Sequence, residues 1–183
     1  MMPTTLSLGS DDAKLTVRTT RTGAASKAGH NLLIEVTSWN ATLQLSDHLA
    51  DTRLTLSADS QSLRVIEGSG GIQALGDEDR ASIEQTINDE VLKGGVIEFQ
   101  SMGVELIDGG LRVRGELELL GARRPIAFEL GLGADGRLTG EATVKQSDWG
   151  IKPYSALFGT LKVADEVKIA VDGRVPSALI ARR

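Results

Sequence analysis

Few side chains in this sequence are of the types that carry chemistry. The chain has two histidines, His30 and His48, and no cysteine, which leaves out thiolate nucleophiles, disulfides and iron–sulfur clusters. His30 follows a glycine at the start of an alternating apolar run. There it either contacts the head group of a ligand or forms one structural hydrogen bond. His48 lies in a polar stretch typical of a turn. With two imidazoles and no thiolate, we expect no metal site.

Two charged clusters are candidates for acid–base chemistry and for anion binding. Asp77, Glu78 and Asp79 are consecutive and would point in different directions on a helix. They therefore indicate a solvated helix start rather than a pair of catalytic carboxylates. Arg123 and Arg124 precede a proline, and they either clamp an anionic head group or are exposed turn charges. No nucleophile elbow or Ser/His/Asp set is present, so we expect neither an enzyme nor a cofactor.

A glycine-rich stretch, "VIEGSGGIQALGDEDR", joins an apolar run to the acidic one and is similar in order to a phosphate-binding loop. It lacks the Gly-Lys-Ser/Thr ending of a P-loop, and its acidic continuation would repel a phosphate. We therefore predict a flexible flap beside a cavity mouth, with Gly68, Gly70 and Gly71 as hinges.

Half of the six aromatic residues lie in "SDWGIKPYSALFG", at Trp149, Tyr154 and Phe158. This segment is either the aromatic side of a ligand portal or a packed loop that closes one end of the fold.

Bulk properties exclude several classes of function. The formal net charge is −5, the pI is near 5.1 and aromatics make up 3%, so we expect no nucleic-acid partner. No apolar run approaches the roughly 20 residues of a membrane-spanning helix. The first residues show no basic and apolar leader. We therefore expect a cytoplasmic protein for the chain as given, and a periplasmic or secreted one if a leader was removed.

Apolar residues alternate with polar ones along most of the chain, which predicts β-strands. The clearest case is "LRVRGELEL", where Leu111, Val113 and Leu117 share one face with Gly115. Short connections, including two Asp-Gly pairs, make neighbouring strands antiparallel. We predict an all-β fold, a closed antiparallel lipocalin-like barrel of about eight strands, because closure removes exposed edges. Only about residues 77–92 show helical spacing, which predicts one inserted α-helix.

Several segments resemble one known family. They are "GHNLLIEVTSW" (29–39), "VIEFQS" (96–101), "VRGELELLGARRPIAFEL" (113–130), "GEATVKQSDWGIK" (140–152) and "VADEVKIAVDG" (163–173). In order and spacing they resemble the YceI-like family, described as lipocalin-like barrels that bind polyisoprenoid lipids. The resemblance implies a single barrel domain over residues 1–183. Gln146, Leu120 and Gly95 stand where the family usually has Arg, His and Pro.

The inward faces predict the kind of ligand. They are aliphatic, and Gly115 and Gly140 stand where a filled barrel would carry bulky residues. A dry bore of this kind suits a hydrocarbon chain. We therefore expect binding, sequestration or transport of a long-chain isoprenoid, such as a polyprenyl or quinone-like lipid, or of a related lipid. The expected ligand-binding residues are Leu32, Ile34, Val36, Leu54, Leu56, Phe99, Val113, Leu117, Phe128, Trp149, Tyr154 and Phe158. His30, Arg123 and Arg124 are expected at the head group.

Two other interpretations stay open at this point. One is an enzyme that modifies a lipid in the same cavity, and the other is a filled barrel that serves as a structural or interaction module. Exposed strand edges and an apolar helix face also leave a homodimer open.

Overall fold

The computed structural model describes residues 4–175, and most of them lie in one antiparallel sheet. The sheet has 11 strands: β1 (Thr4–Gly9), β2 (Ala13–Thr19), β4 (Asn31–Val36), β5 (Trp39–Leu45), β6 (Arg53–Ala58), β7 (Leu63–Ser69), β8 (Ile97–Ile107), β9 (Gly110–Leu119), β10 (Ala122–Leu132), β11 (Arg137–Lys145) and β14 (Glu166–Arg174). A second sheet contains β12 (Ser155–Ala156), β13 (Leu161–Val163) and β3 (Arg21–Thr22), in that order. Helix α1 (Asp77–Thr86) continues into a π-helical turn (Ile87–Val91), and 3₁₀ turns lie at Ser26–Ala28, Leu49–Asp51, Ser60–Ser62 and Gln146–Trp149.

The second half of the large sheet is built from long regular hairpins. Strands β8 to β11 pair with their sequence neighbours, and β14 pairs with β11 and with β2. Glycines at positive φ form the turns, with Gly109 at 78° and Gly121 at 75°. In the turn at Leu120 and Gly121 both residues have positive φ, as in the two-residue turns that match the right-handed twist of the strands they join.

The first half is organised differently from the prediction. The order is β1-β5-β6-β8-β9-β10-β11-β14-β2-β4-β7, and its two end strands do not pair with each other. The all-β antiparallel fold with one helix is confirmed, but the closed barrel of about eight strands was wrong. The sheet is a curled half-barrel. Two successive strands on either side of one corner pair with different neighbours: β4 pairs with β2 and β7, whereas β5 pairs with β1 and β6.

A hydrogen-bond network around the buried Ser62 explains where these strands break. The Thr37 amide donates to the Ser62 carbonyl (3.0 Å), the Ser38 amide to Ser62 Oγ (3.0 Å), and the Asp59 amide to the Ser38 carbonyl (2.9 Å). The backbone groups that leave the ladder at each corner thus find partners at the neighbouring corner, so the change of strand partners leaves these donors satisfied.

The helical segment covers one edge of the sheet. Glu84 Oε1 accepts a hydrogen bond from the Val65 amide of β7 at 2.8 Å, so the helix supplies the partner that a further strand would have given. The acidic start has a structural role, because Asp79 Oδ2 accepts from the Gly76 amide (2.9 Å). Ile83, Ile87 and Val91, the residues with helical spacing in the sequence, pack against the core.

Candidate ligand-binding cavity

The curled sheet surrounds a cavity of about 920 Å³. Its wall is made of inward-facing aliphatic side chains, and many of these are only half-buried. On β6, for example, Leu54 and Leu56 line the cavity and are half-buried, while Thr55 and Ser57 on the other face are exposed. In a filled barrel such inward positions would be fully covered by their neighbours. The partial exposure therefore indicates a hollow interior.

Most of the residues expected to bind a ligand lie around this cavity. The wall includes Leu32, Ile34, Val36, Leu54, Leu56, Phe99, Leu117, Phe128 and Tyr154. They come from five strands of the large sheet and from the segment before β12. Period-two alternation is enough to place them, because every second side chain of a curled sheet faces the inside. Their contact with a ligand stays a prediction.

Three of the expected residues lie outside the cavity wall. Val113 is fully buried among packed neighbours, and Trp149 is 4% exposed, with its Nε1 donating to the Leu117 carbonyl at 2.8 Å. Both belong to an apolar cluster in which they and Val104 pack away from the cavity, while other members such as Phe99 and Leu117 also line it. Phe158 has the opposite position, because its side chain is fully exposed to solvent.

The two inward glycines have a different role from the one expected. A Cβ on Gly115 would meet the Phe99 ring at 2.6 Å, and one on Gly140 would meet Leu130 Cδ2 at the same distance of 2.6 Å. Each glycine therefore makes room for a large neighbouring side chain. Gly140 also lines the cavity.

Several wall residues were missed at the sequence level. Leu6 and Leu8 of β1 alternate in "TLSLG" but stand so near the start of the chain that this strand was not predicted. Trp39, the first residue of β5, is buried and also lines the cavity. Trp39 faces the inside because it follows a corner of the chain. Counting every second residue through that corner does not predict its inward position.

One end of the cavity, which we call the cationic rim, is formed by Arg21, His30 and Lys162. Arg21 is half-buried, and its guanidinium donates to the Gly29 carbonyl. His30 Nε2 lies 2.6 Å from the Gln73 carbonyl oxygen, which accepts the hydrogen bond. Within residues 4–175 no carboxylate forms an ion pair with these three side chains. The rim therefore offers positive charge at the cavity mouth.

The glycine-rich stretch lies against this rim. A Cβ on Gly70 would overlap the Arg21 guanidinium, and one on Gly71 would overlap the His30 ring; both glycines have a φ of 77°. Gly68 lies within β7, where a Cβ would overlap Leu75. These glycines allow two rim side chains to pack on the backbone. The loop lies beside the mouth, while its flexibility stays a prediction.

The other expected head-group residues lie away from the cavity. Arg123 Nε donates to Glu118 Oε2 at 2.9 Å, and Arg124 Nε donates to the Asp148 carbonyl at 3.0 Å. Both are exposed turn-region charges with partners outside the cavity wall. Gln146, which differs from the family pattern, does line the cavity, and its Nε2 donates to the Ala164 carbonyl (3.0 Å).

Carboxyl groups with perturbed pKa values lie outside the cavity wall. Hydrogen bonds from Ser147 lower the pKa of Asp165, and the Arg137 guanidinium lowers that of Asp172. Both carboxylates are on the protein surface. Among residues 4–175, no three His, Asp or Glu side chains come together as a set of metal ligands.

Comparison with known families settles the relationship that the motifs indicate. The family model of the YceI-like domain matches residues 11–175. The chain belongs to the YceI-like family. No curated protein sequence matches this YceI-like chain. No helix within the described part of the chain is both long and apolar enough to cross a membrane.

Solved structures share the fold of this YceI-like protein at low sequence identity. BcnA of Burkholderia cenocepacia is 14% identical, with a TM-score of 0.65 over 90% of this chain and 96% of that chain. A YCEI protein of Campylobacter jejuni is 13% identical, with a TM-score of 0.55 over 78% of this chain and 82% of that chain. At such identities the likeness is one of fold.

Proposed function

We propose that this YceI-like protein binds a long-chain hydrophobic molecule, of the isoprenoid class, inside the curled sheet and sequesters or carries it without chemical change. The observation behind the proposal is the half-buried aliphatic wall around about 920 Å³ of space. That volume lies in the range of small-molecule sites, about 300–1,000 Å³. The cavity also argues against a filled barrel that serves only as a structural module.

An apolar chain gains affinity in such a cavity without polar anchors. Each methylene group removed from water contributes about 0.8 kcal/mol, so a chain of many carbons binds through burial alone. The cationic rim adds a place for the polar end of the molecule, where the Arg21 guanidinium and the Lys162 ammonium offer N–H donors. A non-enzymatic role agrees with the position of the pKa-shifted carboxylates, since Asp165 and Asp172 lie outside the cavity.

The two tryptophans provide a direct test. Trp39 lines the cavity and Trp149 does not. We expect a prenyl quinone to quench the fluorescence of the native protein, the Trp149→Phe variant to keep most of this quenching, and the Trp39→Phe variant to lose most of it. Native mass spectrometry or organic extraction of the purified protein should then show the bound lipid.

A pair of matched variants separates the cavity from the outer surface. Ala142 lines the cavity on β11, whereas Ala127 is exposed on the outer face of β10. We expect Ala142→Phe to block quinone uptake and Ala127→Phe to leave it unchanged. Equal uptake by both variants, or no lipid and no quenching with the native protein, would contradict the proposal.

A further inference from the structure

Three chain segments meet at the cationic rim, namely residues 19–30, 68–76 and 151–164. The first and third are joined by the small sheet, in which Val163 pairs with Arg21 and the Ala25 amide donates to the Thr160 carbonyl at 2.8 Å. The second lies against the first, because the backbone of Gly70 and Gly71 contacts the side chains of Arg21 and His30. All three therefore surround one end of the cavity. We call their combined surface the docking face.

The docking face differs in charge from the rest of the protein. Its three segments contain Arg21, Lys27, Lys152 and Lys162 but no aspartate or glutamate, although the whole chain has 25 acidic and 20 basic residues. Lys162 lies close to the tip of the third segment, since a Cβ on Gly159 would be 3.6 Å from its Cε. The segments around the cavity mouth thus carry basic side chains and no carboxylate of their own, while Glu67, Asp77, Asp148 and Asp165 lie just beyond their ends in the sequence.

The same segments expose large apolar side chains. Ile72 is 81% exposed, Leu157 is 56% exposed and Phe158 is fully exposed. Leu157 and Phe158 have φ values of 50° and 55°, in the left-handed region that non-glycine residues rarely adopt. Two successive residues in this conformation form a sharp turn with the Phe158 ring in solvent. An aromatic ring that is held in solvent by an unfavourable backbone conformation indicates an interaction site.

We propose that the docking face binds the surface of an anionic lipid bilayer. In this arrangement Phe158, Leu157 and Ile72 enter the interfacial region, and the lysines lie at the level of the anionic head groups. Charge complementarity favours a bilayer over a second copy of the chain, because a symmetric dimer through this face would bring two basic surfaces together. The purpose of docking rests on the proposed function, since it sets the cavity mouth against a source of lipid.

The test is co-sedimentation with vesicles of phosphatidylglycerol and phosphatidylcholine in equal amounts, at low and high salt. We expect the native protein to bind these vesicles and to be released by salt or by pure phosphatidylcholine vesicles. The Leu157→Ser, Phe158→Ser double variant should lose at least about tenfold in affinity. Met102→Ser is the matched control, because Met102 is exposed on β8 outside the docking face, and its affinity should not change.

Charge is tested with a second pair of variants. The Lys27→Gln, Lys152→Gln variant should lose about fivefold in affinity per lysine. The Lys14→Gln, Lys93→Gln variant removes two exposed lysines outside the docking face and should bind as the native protein does. A Phe158→Trp variant made with Trp39→Phe and Trp149→Phe should show a blue shift on vesicle binding, which reports insertion without any loss of binding.

Three results would overturn the docking proposal. They are no binding of the native protein to anionic vesicles, equal losses in both lysine pairs, and a dimer in light scattering that the Phe158 variant converts to a monomer. The last result would assign the face to a second copy. A different result would contradict the proposed function. A protein that binds vesicles through this face but takes up no quinone supports docking and contradicts ligand binding.

Discussion

Two apolar regions of the molecule look alike in the sequence and differ in the structure. Around Val104, Val113 and Trp149 the side chains are buried in one apolar cluster and do not line the cavity. Around Leu32, Leu43 and Leu54 the side chains are half-buried and face open space. The difference depends on what lies opposite each wall. The segment after β11 places Trp149 against the Leu117 carbonyl of β9, whereas the half-buried side chains border the open volume of the cavity.

Among the changes that test this difference, Trp149→Ala is expected to lower the free energy of unfolding most. The change removes a packed indole and leaves the Leu117 carbonyl without its donor, so the free energy of unfolding should fall by about 3–5 kcal/mol. Urea denaturation followed by circular dichroism measures this loss. Trp149→Phe keeps most of the volume and should cost clearly less. A loss below about 1 kcal/mol for the alanine variant would mean that this region is not packed as described.

Smaller losses of stability are expected from one alanine substitution in the packed cluster and one in the cavity wall. Val113→Ala removes two carbons from the packed cluster and should lower the free energy of unfolding by about 2 kcal/mol, because it creates a new cavity. Leu43→Ala removes three carbons from the hollow wall, where the side chain already borders open space. Its cost should stay below about 1 kcal/mol. The larger deletion thus has the smaller cost, and the reverse order in urea denaturation would mean that the wall is filled in solution.

The alternation in the sequence indicates which side chains face the inside of the sheet and which face the outside. It does not indicate whether an inward side chain is packed against neighbours or borders the cavity. Alternation placed Leu54, Leu56 and Phe128 correctly, because it depends only on the pleat of a strand. It could not distinguish Val113, which is fully buried, from Leu117, which lines the cavity, since both face inward and the difference depends on which distant segments pack against each position. Long-range packing of this kind leaves no local signal.

Hairpin turns could be predicted from their own residues, whereas the corners between strands could not. The Asp108-Gly109 turn is fixed by its own two residues and could be predicted from them. The corner at 37–38 depends on Ser62 from another segment, and the alternation around it does not show which strands pair on either side. The pairing of distant strands decides whether a sheet closes, which is why the closed barrel of about eight strands was wrong while the antiparallel class was confirmed.

The smallest expected effect concerns how the Trp149 turn is held. The Ser147 amide donates to Asp165 Oδ1 at 2.8 Å, and the Ser147 hydroxyl donates to Oδ2. These hydrogen bonds lower the pKa of Asp165 in the folded protein. The stability that they contribute is therefore fully present above the pKa of the unfolded state and is lost as the pH falls through the folded-state pKa. We expect the unfolding midpoint in urea to fall as the pH is lowered through the acid range below about 4, and to fall less in Asp165→Asn.

Asp172→Asn is the control that connects this pH dependence to the packed region. The pKa of Asp172 is also lowered, but by Arg137 on the adjacent strand and not by the Trp149 turn. In a Trp39→Phe background, where Trp149 is the remaining tryptophan, its fluorescence should shift to the red on acidification before global unfolding. Asp172→Asn should leave that shift in place, and Asp165→Asn should produce it already at neutral pH. A shift that disappears with Asp172→Asn instead would mean that the surface pair, and not the Ser147–Asp165 contact, holds the packed region against acid.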